Sequence, residues 1–562
     1  AEGNPFYLEE LARSFLDAGI LTRVDGGYAL AREVTPQDVP DTVQGVIMAR
    51  IDRLAEERKR TIQTAAVVGR EFALRLLRQI SDVQERLEDS LSDLKALEFI
   101  YEKTLFPDLE YVFKHALVQD VAYGSLLKPR RLALHEVVGR AIEELYPERM
   151  DEHAAELAHH FGQGEVWDRA FGYARRAGDR ARGLFANREA IHQYTHALDA
   201  ATRMRPPPGD ADLLAIHEAR GMVWHLLTNY DAAVADFEAM EAAARRLGDR
   251  GREGEALCNQ AGSHWWRFSE AYKGDVARCA NQARVIAEET GDERILARVL
   301  FSLGMVDQKA GLLRDADERF FRSVEICRRR NLKGPLVTNL TWLGAHANWR
   351  GEYQAAIGYS AEAQRLAQDI HEGFYELVSS CFRCNAHAAL GEWDLAFQAL
   401  DEVMQKGRER ENKYAIARGT NTLAWFHEEL GDLRRAVALS HEGIELGRAA
   451  KITNTEIYST INLADGYLGL GEAGAARTVL VEAFERLRTG SFDSHLWKWT
   501  MRANLAFARL ELMEGRLDDA AGRLGEALQT AEAVESRKYI AVARRVRGEL
   551  LRAGGRRAEG LA

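Results

Sequence analysis

The sequence predicts a mainly α protein: a region carrying two β-hairpins, followed by a long array of stacked helix pairs. Three observations predict it. Glycines recur at a near-constant interval through the second half of the chain. Two runs rich in β-favouring residues flank turn residues nearer the start. Prolines number only ten in 562 residues, while Ala, Leu, Arg and Glu dominate, and these side chains lose little rotamer freedom in a helix.

Taken in order, "LTRVDGGYALA" (21–31) predicts a hairpin around Asp25-Gly26-Gly27. Amphipathic helices follow over 41–69 and 82–99. A second hairpin is predicted in "LEFIYEKTLFPDLEYVFKHA" (97–116), turning at Pro107-Asp108. Helices followed by a β-hairpin outline a winged helix.

The repeat occupies the rest. Gly311, Gly351, Gly391, Gly431, Gly471, Gly515 and Gly555 are spaced by 40 residues, with one interval of 44. Five residues after them stand Ala316, Ala356, Ala396, Ala436, Ala476, Ala520 and Gly560; seven before stand Gly304, Gly344, Cys384, Ala424, Ala464, Ala508 and Gly548. This register predicts a helix pair. The glycine ends the first helix in a left-handed turn without a Cβ penalty. The small residues let the second helix approach closely. Neither helix buries its apolar stripe alone, so pairs stack. Four residues after the alanine a large apolar residue is expected; Phe320, Leu400, Leu480 and Leu524 fit, whereas Ser360 and Ser440 weaken the pattern. An earlier copy is read around Gly221, Ala233 and Phe237, and a poorer one over 254–292.

The small-Gly-Ala pattern resembles the tetratricopeptide repeat (TPR), with 40 residues per unit where that family has about 34. The resemblance implies a right-handed α-solenoid of TPR-like helix pairs. "GNPFYLEEL" (3–11) is similar to the end of the ATPase module of STAND-type signalling ATPases. "VPDTVQGVIMARIDRL" (39–54), "AAVVGREF" (65–72), "EYVFKHALVQDVAYGSLL" (110–127) and "LAHHFGQGEVWDRAFGYARRAGDRA" (157–181) resemble the segments after it, in the bacterial adenylate/guanylate cyclase-associated ATPases with tetratricopeptide tails. The implied organisation is 1–35, the end of an ATPase module with a hairpin; 36–130, a winged-helix-like domain; 131–209, a helical linker and the first TPR-like helices; and 210–562, the solenoid. No G-x-x-x-x-G-K-[ST] occurs, so the phosphate cradle is missing from these residues. ATP and magnesium are therefore expected only in an upstream ATPase module, and no cofactor in this chain. Lacking an initiator Met, the chain reads as the sensory C-terminal part of such a protein.

Composition narrows the function classes. With 75 Lys and Arg against 86 Asp and Glu, the net charge of −11 disfavours phosphate-backbone binding by the chain as a whole. The helix at 82–99 is acidic, and the basic cluster Lys128-Pro129-Arg130-Arg131 is small, so no nucleic-acid partner is expected. Apolar runs are too short for a membrane span, and five sparse cysteines suit a reducing, cytoplasmic location. Cys381-Phe382-Arg383-Cys384, His115 and His159-His160 lack the companion ligands of a metal or redox site, and packing is expected. Asn4-Pro5 reads as a helix start.

The expected site is the concave face of the array. Arg298, Gln308, Asn348, Trp349, Asn385, Arg418, Asn421 and Trp425 point there by register and supply amides, guanidinium groups and indoles suited to a protein or peptide. The function expected is a non-enzymatic sensory scaffold that binds a protein, peptide or effector and relays it to an upstream ATPase and cyclase. The alternatives are a fragment of a STAND-type transcription regulator and, third, ATP binding or cyclase activity within the chain.

Overall fold

The computed structural model describes residues 5–24, 27–35, 39, 42–104, 108–266, 272–450, 452–488 and 495–556. Two compact units emerge, Ala1–Leu227 and Thr228–Ala562.

The first unit opens with α1 (Pro5–Asp17) and the hairpin β1 (Leu21–Val24) and β2 (Gly27–Leu30), with Leu21 opposite Leu30. The expected turn residues Asp25 and Gly26, like Asn4, lie outside the described residues. Next come α2 (Val43–Asp52), α3 (Glu56–Val68), β3 (Glu71–Ala73), α4 (Leu74–Ile80), α5 (Leu87–Ala96), β4 (Ile100–Thr104) and β5 (Glu110–Phe113). The last three strands form one antiparallel sheet in the order β3-β5-β4. Here the sequence reading differs twice. The run 41–69 is two helices, closed where Leu54 N–H donates to Ile51 O (3.2 Å), with neither Gly nor Pro to mark the break. Strand β3 was not anticipated, because three residues carry no periodicity and pairing with β5 creates it.

Buried Arg50 ties this unit together. Its guanidinium donates to Glu10 (2.6 Å), Asp17 (2.7 Å) and the Leu97 carbonyl (2.8 Å), and lies over the Phe99 ring. One core runs from Ile47, Phe72 and Phe113 on to Phe161 and Tyr194. It spans α6 (Ala116–Gly124), α7 (Lys128–Leu145), α8 (Ala154–Gln163), α9 (Trp167–Gly183), α10 (Asn187–Arg203) and α11 (Asp210–Leu226). Helices α9 and α10 already use the small-to-large contact of the later array: a Cβ on Gly178 would sit 2.7 Å from the Tyr194 ring.

The second unit is an α-solenoid of TPR-like helix pairs. It begins with α12 (Tyr230–Leu247), α13 (Arg250–Trp266) and α14 (Tyr272–Thr290). Because α11 belongs to the first unit and α12 to the second, the copy read around Gly221, Ala233 and Phe237 spans the division between Leu227 and Thr228. Six pairs follow: α15 (Glu293–Ala310) with α16 (Leu313–Arg329), α17 (Lys333–Arg350) with α18 (Tyr353–Asp369), α19 (Gly373–Ala389) with α20 (Trp393–Glu409), α21 (Lys413–Glu429) with α22 (Leu433–Ala449), α23 (Thr453–Leu470) with α24 (Ala473–Arg488), and α25 (Leu496–Met513) with α26 (Leu517–Ala533); α27 (Arg537–Ala553) ends the array.

All seven register glycines sit at the corner after the first helix, with φ between +78° and +83°. The alanines five residues on, from Ala316 to Ala520, are buried. A Cβ on Gly304 would stand 2.6 Å from the Phe320 ring, so a small and a large residue interlock across the pair. Ser360 and Ser440 are fully buried. A Cβ on Gly344 would meet Ser360 Oγ at 2.5 Å and the Ala356 carbonyl at 3.5 Å. At Ser360, then, the serine marks a closer approach of the two helices rather than a lost register. At four of the opposite corners the left-handed residue is not glycine: Asn331, His371, Glu411 and Glu535.

The array turns back on itself. Trp497 Nε1–H donates to the Gln308 carbonyl (3.0 Å), the Gln308 amide donates to His495 Nε2 (2.5 Å), and the Ser536 hydroxyl donates to the Trp349 carbonyl. Leu313 and Val534 share a buried cluster with Ala345, Trp349 and Phe382. Gly311 and Gly351 serve this closure as well as their own corners: a Cβ on them would lie 3.3 Å from the Trp497 ring and from Lys538 N, respectively.

Candidate functional site

Residues spaced three and four apart share one face of a helix. On α21 that face carries Arg418, Asn421, Trp425 and Glu428; on α23 it carries Tyr458, Asn462 and Asp465. Because the array turns back on itself, these faces line one pocket of about 180 Å³. Helices α17 and α19 add Asn348, Trp349, Phe382 and Asn385; α25 adds Lys498, Arg502 and Arg509; α27 adds Lys538, Tyr539 and Arg545.

The wall repeats with the fold. Asn385, Trp425, Asp465 and Arg509 each stand six residues before their glycine, and Arg418, Tyr458 and Arg502 each thirteen before. Thus six of the eight sequence-predicted residues meet here: Asn348, Trp349, Asn385, Arg418, Asn421 and Trp425. Two do not. Gln308 is fully buried, consumed by the closure bonds to His495 and to His346 (2.8 Å). Arg298 donates to Asn259 Oδ1 (2.6 Å) and does not line the cavity. Residues Tyr458, Asp465, Lys498, Arg502 and Lys538 were missed, although carrying the forty-residue register one or two units further would have found the first two and Arg502.

The amides and indoles are partly engaged. Asn348 Nδ2 donates to the Gly344 and Phe382 carbonyls (3.1 and 2.9 Å), Asn421 Nδ2 to Ser459 Oγ (3.1 Å), and Trp425 Nε1 to Glu429 (2.9 Å). Asp465 pairs with Arg509 (3.0 Å) and Arg502 (3.5 Å). Arg418 and Lys498 are different. They are 8% and 2% exposed, and neither has a carboxylate partner among the described residues. Arg418 lies 4.4 Å from the Tyr458 ring centre, and Lys498 4.4 Å from that of Trp349, with its ammonium donating to the Tyr458 hydroxyl. Burial pulls the Lys498 ammonium down to about 8 despite the Tyr458 oxygen. Burial pushes the Tyr458 phenol up, but the Lys498 and Arg418 charges overcome it and hold it at about 7. Burial and the neighbouring Asp465 push Glu428 up to about 8.

Of the other sequence candidates, Cys381, Cys384, His160 and the basic cluster do not line the cavity. Cys381 and Cys384 are buried, and the Cys384 thiol donates to the Cys381 carbonyl (3.0 Å). His160 and His135 face each other at 3.0 Å in the core of the first unit, and burial lowers them to about 3 and about 4. In the basic cluster, Arg130 pairs with Asp82 (3.0 Å) and Arg131 lies over the Tyr123 ring. Among the described residues no group of three His, Cys, Asp or Glu could hold a metal, and no helix is long and apolar enough to cross a membrane.

The fold and cavity define a mainly α, helical-repeat protein. No protein-family profile matches the chain, and no curated protein matches it. Solved structures do. The chain is similar to a Signal Transduction ATPase with Numerous Domains (STAND) protein with a tetratricopeptide repeat sensor from Pyrococcus horikoshii, at 12% identity over 85% of this chain and 67% of that one, with a TM-score of 0.43. It is also similar to a Rap protein complexed with competence and sporulation factor (13% identity, 62% of this chain, 99% of that, TM-score 0.41). A third is aspartyl phosphate phosphatase F from Bacillus subtilis (13%, 64%, 90%, TM-score 0.42).

Proposed function

We propose that this chain is the sensory and regulatory scaffold of a signalling ATPase–cyclase protein of the cytoplasm. The repeats bind a protein, peptide or effector; residues 36–130, as a winged-helix-like joint, and residues 1–35, as the end of the ATPase module, relay that binding upstream. The observation that supports it best is the polar cavity lined where the later repeats meet α15 and α17, a lining too charged to serve as a core. The reading is non-enzymatic. A ligand that contacts α17, α21 and α25 together prefers the closed array, and so shifts its population against any open one. ATP and magnesium act in the upstream module.

The test is native mass spectrometry of the full chain incubated with peptide and metabolite fractions from its source cells. A bound species is expected, and an Arg418→Ala/Trp425→Ala chain should lose it while keeping its melting temperature. Absence of any bound species, or its full retention by the variant, overturns the reading. The relay is tested on the longer polypeptide, where the same ligand should change ATP turnover.

A further inference from the structure

The cavity lining carries six basic side chains against three carboxylates. Two of the three are already committed: Asp465 to Arg502 and Arg509, and Glu429 to the Trp425 indole. Arg418 and Lys498 are left with aromatic faces and one phenol. Taking an ion out of water is costly, and a cation over a ring recovers only part of that cost. Lys538, over the Trp425 ring at 4.8 Å, adds a third cation without a carboxylate among the described residues. The described lining therefore holds more cations than carboxylates, with the Tyr458 phenol offsetting only part of the excess, and apolar ring surface lies beside it.

We propose that this cavity binds a small organic polyanion, a polycarboxylate or a phosphate ester, whose oxygens are taken by Arg418, Lys498 and Lys538. Charged oxygens would give these donors the charge-assisted hydrogen bonds that their rings cannot. Trp349, Trp425 and Tyr458 offer flat faces to the body of the ligand. The Tyr458 phenol, held near 7, reports the same field. This inference rests on the cavity being the ligand site proposed above, and adds the chemical class.

The experiment is calorimetry and thermal melting of the full chain with citrate and with fructose 1,6-bisphosphate, and with fructose and spermidine as uncharged and cationic controls. Citrate binding assigns a polycarboxylate, bisphosphate binding a phosphate ester; either supports the proposal when the controls stay silent. An Arg418→Met/Lys498→Met chain should bind the anion roughly 100-fold more weakly, yet melt no lower than wild type. Failure of both anions to raise the wild-type melting temperature overturns the proposal. So does retention of binding by the double variant, or a large drop in its melting temperature, which would mean that the two cations are structural. Capture from extract of a neutral or cationic species dependent on Trp425 would sink the ligand class and leave the sensor reading intact.

Discussion

Buried cations in the two units of this molecule behave differently. In the first unit, Arg50 is saturated by Glu10, Asp17 and the Leu97 carbonyl, all within 2.8 Å. In the second, Arg418 and Lys498 are as deeply buried but face rings and a phenol. The first arrangement is a finished structural joint, holding α1 to α2. The second is unfinished, and an unfinished charge persists only where something else completes it. Burial alone therefore does not separate a structural charge from a binding one; the inventory of its partners does.

The largest expected effect is at the finished joint. Arg50→Met leaves the Glu10 carboxylate buried and unpaired, and should cost ~3–5 kcal/mol in denaturant unfolding of the first unit. A loss no larger than that of an exposed ion pair would break the comparison. Next comes the seam that holds the cavity wall in register. Gly304→Val forces atoms into the Phe320 ring and should cost ~1–3 kcal/mol. Gly304→Val with Phe320→Leu should recover part of it, and strict additivity of the two would deny the interlock.

At the unfinished site the sign reverses. Below pH 7, where the Tyr458 phenol is neutral, Lys498→Met should leave the melting temperature unchanged or raise it. The site also carries a pH signature. Tyr458 moves from an ordinary 10.0 to about 7 on folding, so its contribution is fully present above pH 10 and is lost as pH falls through about 7. Wild type should gain stability over Tyr458→Phe as pH rises between those values; a flat difference in chemical denaturation would remove the charged pair from the account. The smallest effects are at the corners. Gly431→Ala, at φ +83° with open space around the new Cβ, should cost ~1 kcal/mol. Glu411→Gly, at φ +49°, should gain about as much. Equal signs at the two corners would show that the left-handed backbone is not what they share.

Legibility followed range. The helix pairs, their glycine corners and buried alanines were readable because each depends on residues within one forty-residue unit. The same register placed Arg418, Asn421, Trp425 and Asn385 on the inner face, and carried further it reaches Tyr458 and Asp465. The break between α2 and α3 was not readable because neither Gly nor Pro marks it, and the strand β3 was not because its partner β5 lies about forty residues on. Nor was Gln308, whose register points inward like its neighbours', but whose amide is claimed by His495 far along the chain.

By itself, the sequence determined the local rules: where each helix stops, which residues interlock across a pair, and which face is left to turn inward. Only the tertiary structure decided that the inward faces enclose a cavity, because small turns between successive pairs accumulate until Trp497 and Ser536 meet Gln308 and Trp349. That closure depends on the sum of many packing angles, which no single repeat encodes. It is also what brings Lys498 over the Trp349 ring, and so adds to the cations that face the proposed ligand.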